Sequence, residues 1–263
     1  MISSSLRISL ALVLYGTSLM GDEFEVTADF LQMDYMERDT LGYKLDGEKT
    51  RGIAGLSIVS TWDTGHGWLA PQSALRLEYQ RFNGTTDYTG STLGGTGGYG
   101  SLKSKTSNTI SDLGFVYQEG HDYGNISLFI LAGAGYRLWE RQLSTIQKED
   151  YSFGYLQTGL GGWLKLAPEL AVGFEGRYKA ALSPQMRDSY TGYTYDLGNV
   201  NGLSLSLPIV YRLSDQWDMV TKYTYQRWDF EKSNSHSYNG NVYYEPDSIT
   251  RNHILSIGLS HPW

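Results

Sequence analysis

The chain has 263 residues, among them 31 Gly, 21 Tyr, 7 Trp and 6 Pro, and it has no Cys, which removes disulfide frameworks and Cys-ligated metal centres. Its 28 acidic and 21 basic residues give a formal charge of −7, so nothing in the charge balance invites nucleic acid. A 14% aromatic content argues against disorder, and no apolar run reaches the 18 residues of a membrane-spanning helix.

Residues 1–21 carry one basic residue, Arg7, an apolar stretch from Ile8 to Tyr15, and small residues at Gly16, Thr17, Ser18 and Gly21. The stretch is too short to cross a bilayer and reads as a secretory signal peptide, cleaved after Ser18 or Gly21. The expected mature domain is 22–263.

From Glu23 onward apolar residues recur at alternate positions, the mark of strands with one apolar and one polar face. Leu75, Leu77 and Tyr79 oppose Arg76, Glu78 and Gln80. Leu170, Val172, Phe174 and Tyr178 oppose Glu175, Arg177 and Lys179, and Leu203, Leu205, Leu207, Ile209 and Tyr211 oppose Ser204, Ser206 and Arg212. In chain order the segments are 23–36, 51–62, 73–83, 109–119, 125–141, 151–166, 170–182, 202–213, 217–233 and 250–263. Most exceed the strands of soluble sheets and match the length that a tilted strand needs to cross a membrane.

Connections alternate as well. Long polar segments (37–50, 84–108, 142–150, 183–201, 234–249) follow the odd strands, and tight ones (63–72, 120–124, 167–169, 214–216) follow the even strands. This pattern predicts an all-β fold: a ten-stranded, antiparallel, up-and-down transmembrane barrel of the bacterial outer membrane, with eight strands as the alternative. Both termini are expected on the periplasmic side and the long loops outside. Two aromatic girdles are expected, Trp62, Tyr117, Tyr211, Trp217 and Trp263 near the short turns and Tyr35, Tyr79, Trp139, Tyr178 and Trp228 near the loops. The last segment, with Leu255, Ile257, Leu259 and Trp263 in alternation, resembles the C-terminal strand read by the outer-membrane assembly machinery, although His261 and Pro262 depart from that pattern.

Inward positions carry Arg76, Glu78, Gln80, Asp112, Gln157, Lys165, Glu175, Arg177 and Lys179. Mixed charges at this density in a narrow barrel predict a salt-bridged plug, with a narrow conducting path as the alternative. Residues 155–163 and 170–179 resemble the sixth and seventh strands of omptins, ten-stranded outer-membrane proteases. Omptins carry an Asp-x-Asp pair in the second outer loop and Asp-x-His in the fourth. Here the second loop offers Asp87 alone, and the fourth offers Asp188 and Asp196 without His. Ser235-His236-Ser237 is superficially similar to the His and Ser of outer-membrane lipid hydrolases, but neighbours on an extended chain point opposite ways. No catalytic residue, metal ligand or cofactor site is therefore assigned.

The remaining candidates lie in the long loops. Tyr88, Tyr99, Tyr190, Tyr193, Tyr195, His236 and Tyr238 stand among Gly, Ser, Thr and Asn, a composition suited to adaptable binding surfaces. The expected protein is a monomer with a structural or surface-recognition role. Its expected partners are outer-membrane lipid and lipopolysaccharide, the assembly machinery, and a host or surface ligand at the loops.

Overall fold

A computed structural model describes residues 22–39, 41–50, 52–91 and 98–262. Residues 1–21, where the signal peptide is expected, and Gly94, Gly95, Gly97 and Trp263 lie outside these. In chain order the strands are β1 (Glu23–Arg38), β2 (Lys44–Lys49), β3 (Ile53–Gly65), β4 (Gln72–Gly90), β5 (Leu102–Tyr123), β6 (Ile126–Gln142) and β7 (Lys148–Ala167). They continue with β8 (Leu170–Asp188), β9 (Thr194–Asp196), β10 (Val200–Arg212), β11 (Asp218–Phe230), β12 (Ser235–Tyr238), β13 (Asn241–Tyr244) and β14 (Asp247–Pro262).

Among the described residues ten long strands form a closed ring. β1 pairs with β3, the chain then runs antiparallel through β4, β5, β6, β7, β8, β10, β11 and β14, and β14 returns to β1 from Glu23↔Pro262 to Arg38↔Asp247. Closure leaves no unpaired sheet edge in an apolar surrounding. β2 lies beside β1 and β4 and continues the wall strand of β3 upward, and β9 does the same for β10.

The wall is taller than the sequence pattern indicates. Segment 84–108 is mostly not a loop: β4 and β5 pair without a break from Gln72↔Gly120 to Gly90↔Leu102, leaving a short tip. Segments 37–50, 183–201 and 234–249 likewise contain β2, β9 and the β12–β13 hairpin. Polar Ser, Thr, Asp and Lys residues hid these strands, because a wall standing in water needs no apolar outer face.

Outward side chains divide the wall by height. Phe30, Leu77, Phe115, Ile130, Leu138, Leu156, Leu160, Phe174, Leu205, Leu207, Leu255 and Ile257 form an exposed apolar band. Beyond it, toward the long loops, the same faces turn to Gln32, Asp34, Glu140, Asp150 and Arg227. Inside, the order is inverted. Above the level of the band lies a buried cluster containing Leu31, Met33, Tyr35, Ile53, Phe82, Ile110, Trp139, Tyr151, Phe153, Trp228 and Phe230.

Three expected girdle residues must therefore be reassigned. Tyr35, Trp139 and Trp228 face the interior and are almost fully buried, whereas Tyr136, Tyr178 and Tyr223 are exposed on the outer wall. Alternation fixes which residues share a face but not which face is inside, and above the band a water-bathed wall must bury its apolar face inward. Gly135 makes room for this core: a Cβ there would lie 2.4 Å from the Tyr155 ring.

Candidate functional site

The interior has three tiers. In the lowest, two arginines and two glutamates from opposite walls form a neutral ring. Arg177 donates to Glu78 (Nη1 to Oε2, 2.6 Å; Nη2 to Oε1, 2.8 Å) and to Glu175 (Nε to Oε1, 2.6 Å). Arg76 donates to Glu175 (2.9 Å), to Glu78 and to Gln118 (3.1 Å). Gln157 accepts from Arg177 at 3.3 Å, and Gln80 donates to Asp29 and Ser57. Asp112 pairs with Arg137, and the Lys179 ammonium lies over the rings of Tyr155 (4.7 Å) and Trp228 (5.6 Å).

Seven of the nine inward candidates thus line one cavity of about 260 Å³, and Gln157 joins them through Arg177. Lys165 does not. It is exposed at the short-turn rim, where its backbone N–H bonds the Asn125 carbonyl at 2.8 Å. Strand β7 has risen out of the lumen there, so alternation no longer points a side chain into the interior.

The middle tier is aromatic. Trp139 stacks on Tyr151 with centroids 4.9 Å apart and meets Tyr35 edge-on at 5.4 Å, while Phe153 meets Trp228 edge-on at 5.3 Å. Such contacts fill the lumen with rigid apolar bodies.

The upper tier centres on Arg141, whose side chain has no exposed surface. It donates to Glu48 (Nη2, 2.8 Å; Nε, 3.1 Å), Glu149 (2.6 Å), Glu37 (3.3 Å), Tyr35 (3.1 Å) and Tyr151 (3.3 Å), and lies 4.0 Å over the Tyr35 ring. Tyr35 donates to Glu37 and Tyr151 to Glu245. Thr86 and Asn108 complete the shell of Glu48 at 2.5 and 3.0 Å.

One cation therefore serves several buried carboxyls, and protonation resolves the imbalance. Burial, opposed by Arg141 and reinforced by Glu37, pushes Glu149 up to about 7. Burial followed by repulsion from Glu37 holds Asp46 and Glu245 well above the usual carboxylate range. All these groups lie above the apolar band. The carboxyls escaped the sequence reading because they sit in segments read as loops; the available signal was the parity of Arg137, Trp139 and Arg141 on β6.

The loop candidates divide. Tyr88 and Tyr195 are buried, so neither is a surface contact: Tyr88 continues the inward face of β4, and Tyr195 packs beneath His236 (5.3 Å). Tyr99 is exposed, with Lys44 over its ring at 4.7 Å. Tyr190, Tyr193, His236 and Tyr238 converge from two connections. Tyr193 stacks on His236 at 4.8 Å, with planes 8° apart, and Tyr238 meets Tyr190 and Tyr193 edge-on, each at 6.3 Å. Tyr243, missed in the sequence, joins through Tyr238 at 6.2 Å. The hairpin β12–β13, turned by Asn239 and Gly240 at positive φ, delivers these rings.

No protein-family model matches the chain, and no curated protein matches it in sequence. Solved structures do match. The outer membrane protease OmpT from Escherichia coli superposes with a TM-score of 0.64 at 13% identity, over 92% of this chain and 96% of that one. Neisserial surface protein A (TM-score 0.33, 13% identity, 91% and 97% covered) and Ail of Yersinia pestis (0.35, 10%, 90% and 97%) match more loosely. The chain thus has the fold of an outer-membrane β-barrel, a ten-stranded antiparallel ring resembling that of the omptins.

Proposed function

We propose that this protein is a closed barrel of the bacterial outer membrane whose long-loop end recognises a hydroxyl-rich surface ligand, a glycan. Its short-turn rim and termini face the periplasm, and its long connections face outward. The observation that carries the reading is the convergence of Tyr190, Tyr193, His236, Tyr238 and Tyr243 from two separate connections onto one exposed end. Tyrosine rings offer flat apolar faces with polar edges, and Ser237, Asn239 and Asn241 add hydrogen-bonding groups beside them. The filled lumen supports recognition over solute passage, because the charged ring and the aromatic tier lie across the same axis. Lipopolysaccharide against the outer wall and the assembly machinery acting on β14 complete the proposed partners.

Glycan-array and cell-binding assays on the folded barrel test this reading. The double variant Tyr190→Ala, Tyr238→Ala should keep heat-modifiable migration and lose binding at least about tenfold, the loss of two aromatic anchors. Unchanged binding, or stable conductance steps in a planar bilayer, refutes it.

A further inference from the structure

The turn joining β3 to β4 ends the membrane wall in an unusual way. Trp68 is 95% exposed and Leu69 82% exposed, side by side at its tip. Exposed apolar side chains that adjoin an apolar outer wall enlarge a contiguous patch, the mark of a partner or an apolar medium.

The turn does not hang free below the rim. It folds outward against β5. On that strand Leu113 and Phe115 are exposed on the outer wall, and alternation places Tyr117 and Glu119 on the same face. Glu119 is nevertheless buried, because the turn covers it. Its carboxylate accepts the backbone N–H of Trp68 (Oε1, 2.8 Å) and of Leu69 (Oε2, 2.7 Å) and the hydroxyl of Tyr117 (2.6 Å). Gly67 N–H bonds the Ala70 carbonyl at 3.0 Å, and His66 Nδ1 donates to the Pro71 carbonyl at 3.0 Å. Thr64 and Ser73 bond through their hydroxyls at 2.7 Å, and Gln72 donates to Asp122 at 2.7 Å.

Two features of this arrangement matter. The backbone N–H groups of Gly67, Trp68 and Leu69 are met within the protein, which lowers the cost of placing the turn where water is scarce. The apolar pair also continues, past Tyr117, the outer-wall face of Leu113 and Phe115. We infer that the Trp68–Leu69 tip is a lipid anchor, inserted into the headgroup and acyl boundary of the leaflet next to the short-turn rim, with Glu119 as the positioning residue. Trp suits that depth, since its ring is apolar and its N–H seeks a polar neighbour. The occupant is lipid and not a protein, because the tip is continuous with the lipid-facing band. The inference rests on the membrane reading of that band and is independent of ligand recognition at the loops.

The absence of cysteine makes the test clean. A nitroxide on Leu69→Cys, in barrels reconstituted into phosphatidylethanolamine and phosphatidylglycerol vesicles, reports collisions with oxygen, which favours lipid, and with a nickel chelate, which favours water. Labels at Ile130→Cys on the outer wall and Asn239→Cys at the loop end mark the two limits. Vesicle flotation checks insertion separately, so failure of the membrane reading is distinguishable from failure of the anchor. The expected oxygen-to-nickel ratio at Leu69→Cys is severalfold above that at Asn239→Cys and approaches that at Ile130→Cys. Adding Glu119→Ala should drop the ratio toward the aqueous value while the barrel still floats. A water-like ratio in the otherwise intact protein overturns the proposal, as does protection from both reagents, which means that this chain or a second copy of it covers the tip. An unchanged ratio on Glu119→Ala overturns the positioning role.

Discussion

Replacing Arg141 by Met keeps most of the side chain's length and removes its charge. The guanidinium lies within hydrogen-bonding distance of Glu48, Glu149 and Glu37, whose side chains are at most 10% exposed. Breaking a buried ion pair from one side costs about 3–5 kcal/mol, because the partner charge stays behind without compensation. The Tyr35 and Tyr151 hydroxyls lose a donor as well. The deficit should depend on pH. At pH 8 Glu149, left without its cation, either remains charged or holds a proton against the solution, and Arg141→Met should lose the full amount. At pH 5, below its raised pKa of about 7, Glu149 is protonated, and the deficit should fall to about 1–2 kcal/mol, the cost of imperfectly paired polar groups. Urea unfolding in detergent, followed by tryptophan fluorescence and by heat-modifiable migration, measures both values. A loss below about 1 kcal/mol at pH 8, or an equal loss at the two pH values, would refute the account of this cluster.

Two further outcomes follow from the same geometry. Glu149, raised from 4.5 to about 7 mainly by burial, binds its proton more tightly folded than unfolded, so its contribution is complete below pH 4.5 and lost as pH rises through about 7. At about 1.4 kcal/mol per unit the loss is roughly 3 kcal/mol, and Glu149→Gln should flatten that part of the stability–pH curve; a curve of unchanged slope counts against it. At the closing seam, a Cβ on Gly258 would come 1.9 Å from the Val26 carbonyl oxygen and 2.6 Å from Thr27 Cα. Gly258→Ala should destabilise the β1–β14 pairing by about 1–3 kcal/mol and lower the temperature at which the folded band disappears in unboiled gels; wild-type behaviour would contradict it.

Much of the barrel is legible in the chain because its lipid-facing segments must alternate. Residues 73–81 and 170–179 each expose an apolar row to lipid and turn a charged row inward, and so disclose strand, height and inward residues together. Strand number and the order of short and long connections follow from counting such segments. Low mean hydropathy, −0.36, does not conflict with this, since only one face of each strand is apolar.

Above the apolar band that logic stops. There, polar residues face water on the outside and Leu31, Met33, Tyr35 and Trp139 face inward, so alternation persists with its sense reversed. Sequence carries the period but not the height at which the solvent outside changes from lipid to water. The upper wall of β4 and β5 was therefore invisible as strand. Only the closed ring decides which residues meet across the lumen. Glu48, Glu149 and Glu245 lie far apart in the chain, in segments that read as solvated loops, and tertiary closure gathers them around one arginine on β6. The same holds at the rim: Tyr193 and His236 are separated by 43 positions and become stacked neighbours because the wall holds their two connections side by side. Local chemistry determined the strands, and the distances across a closed barrel determined the sites.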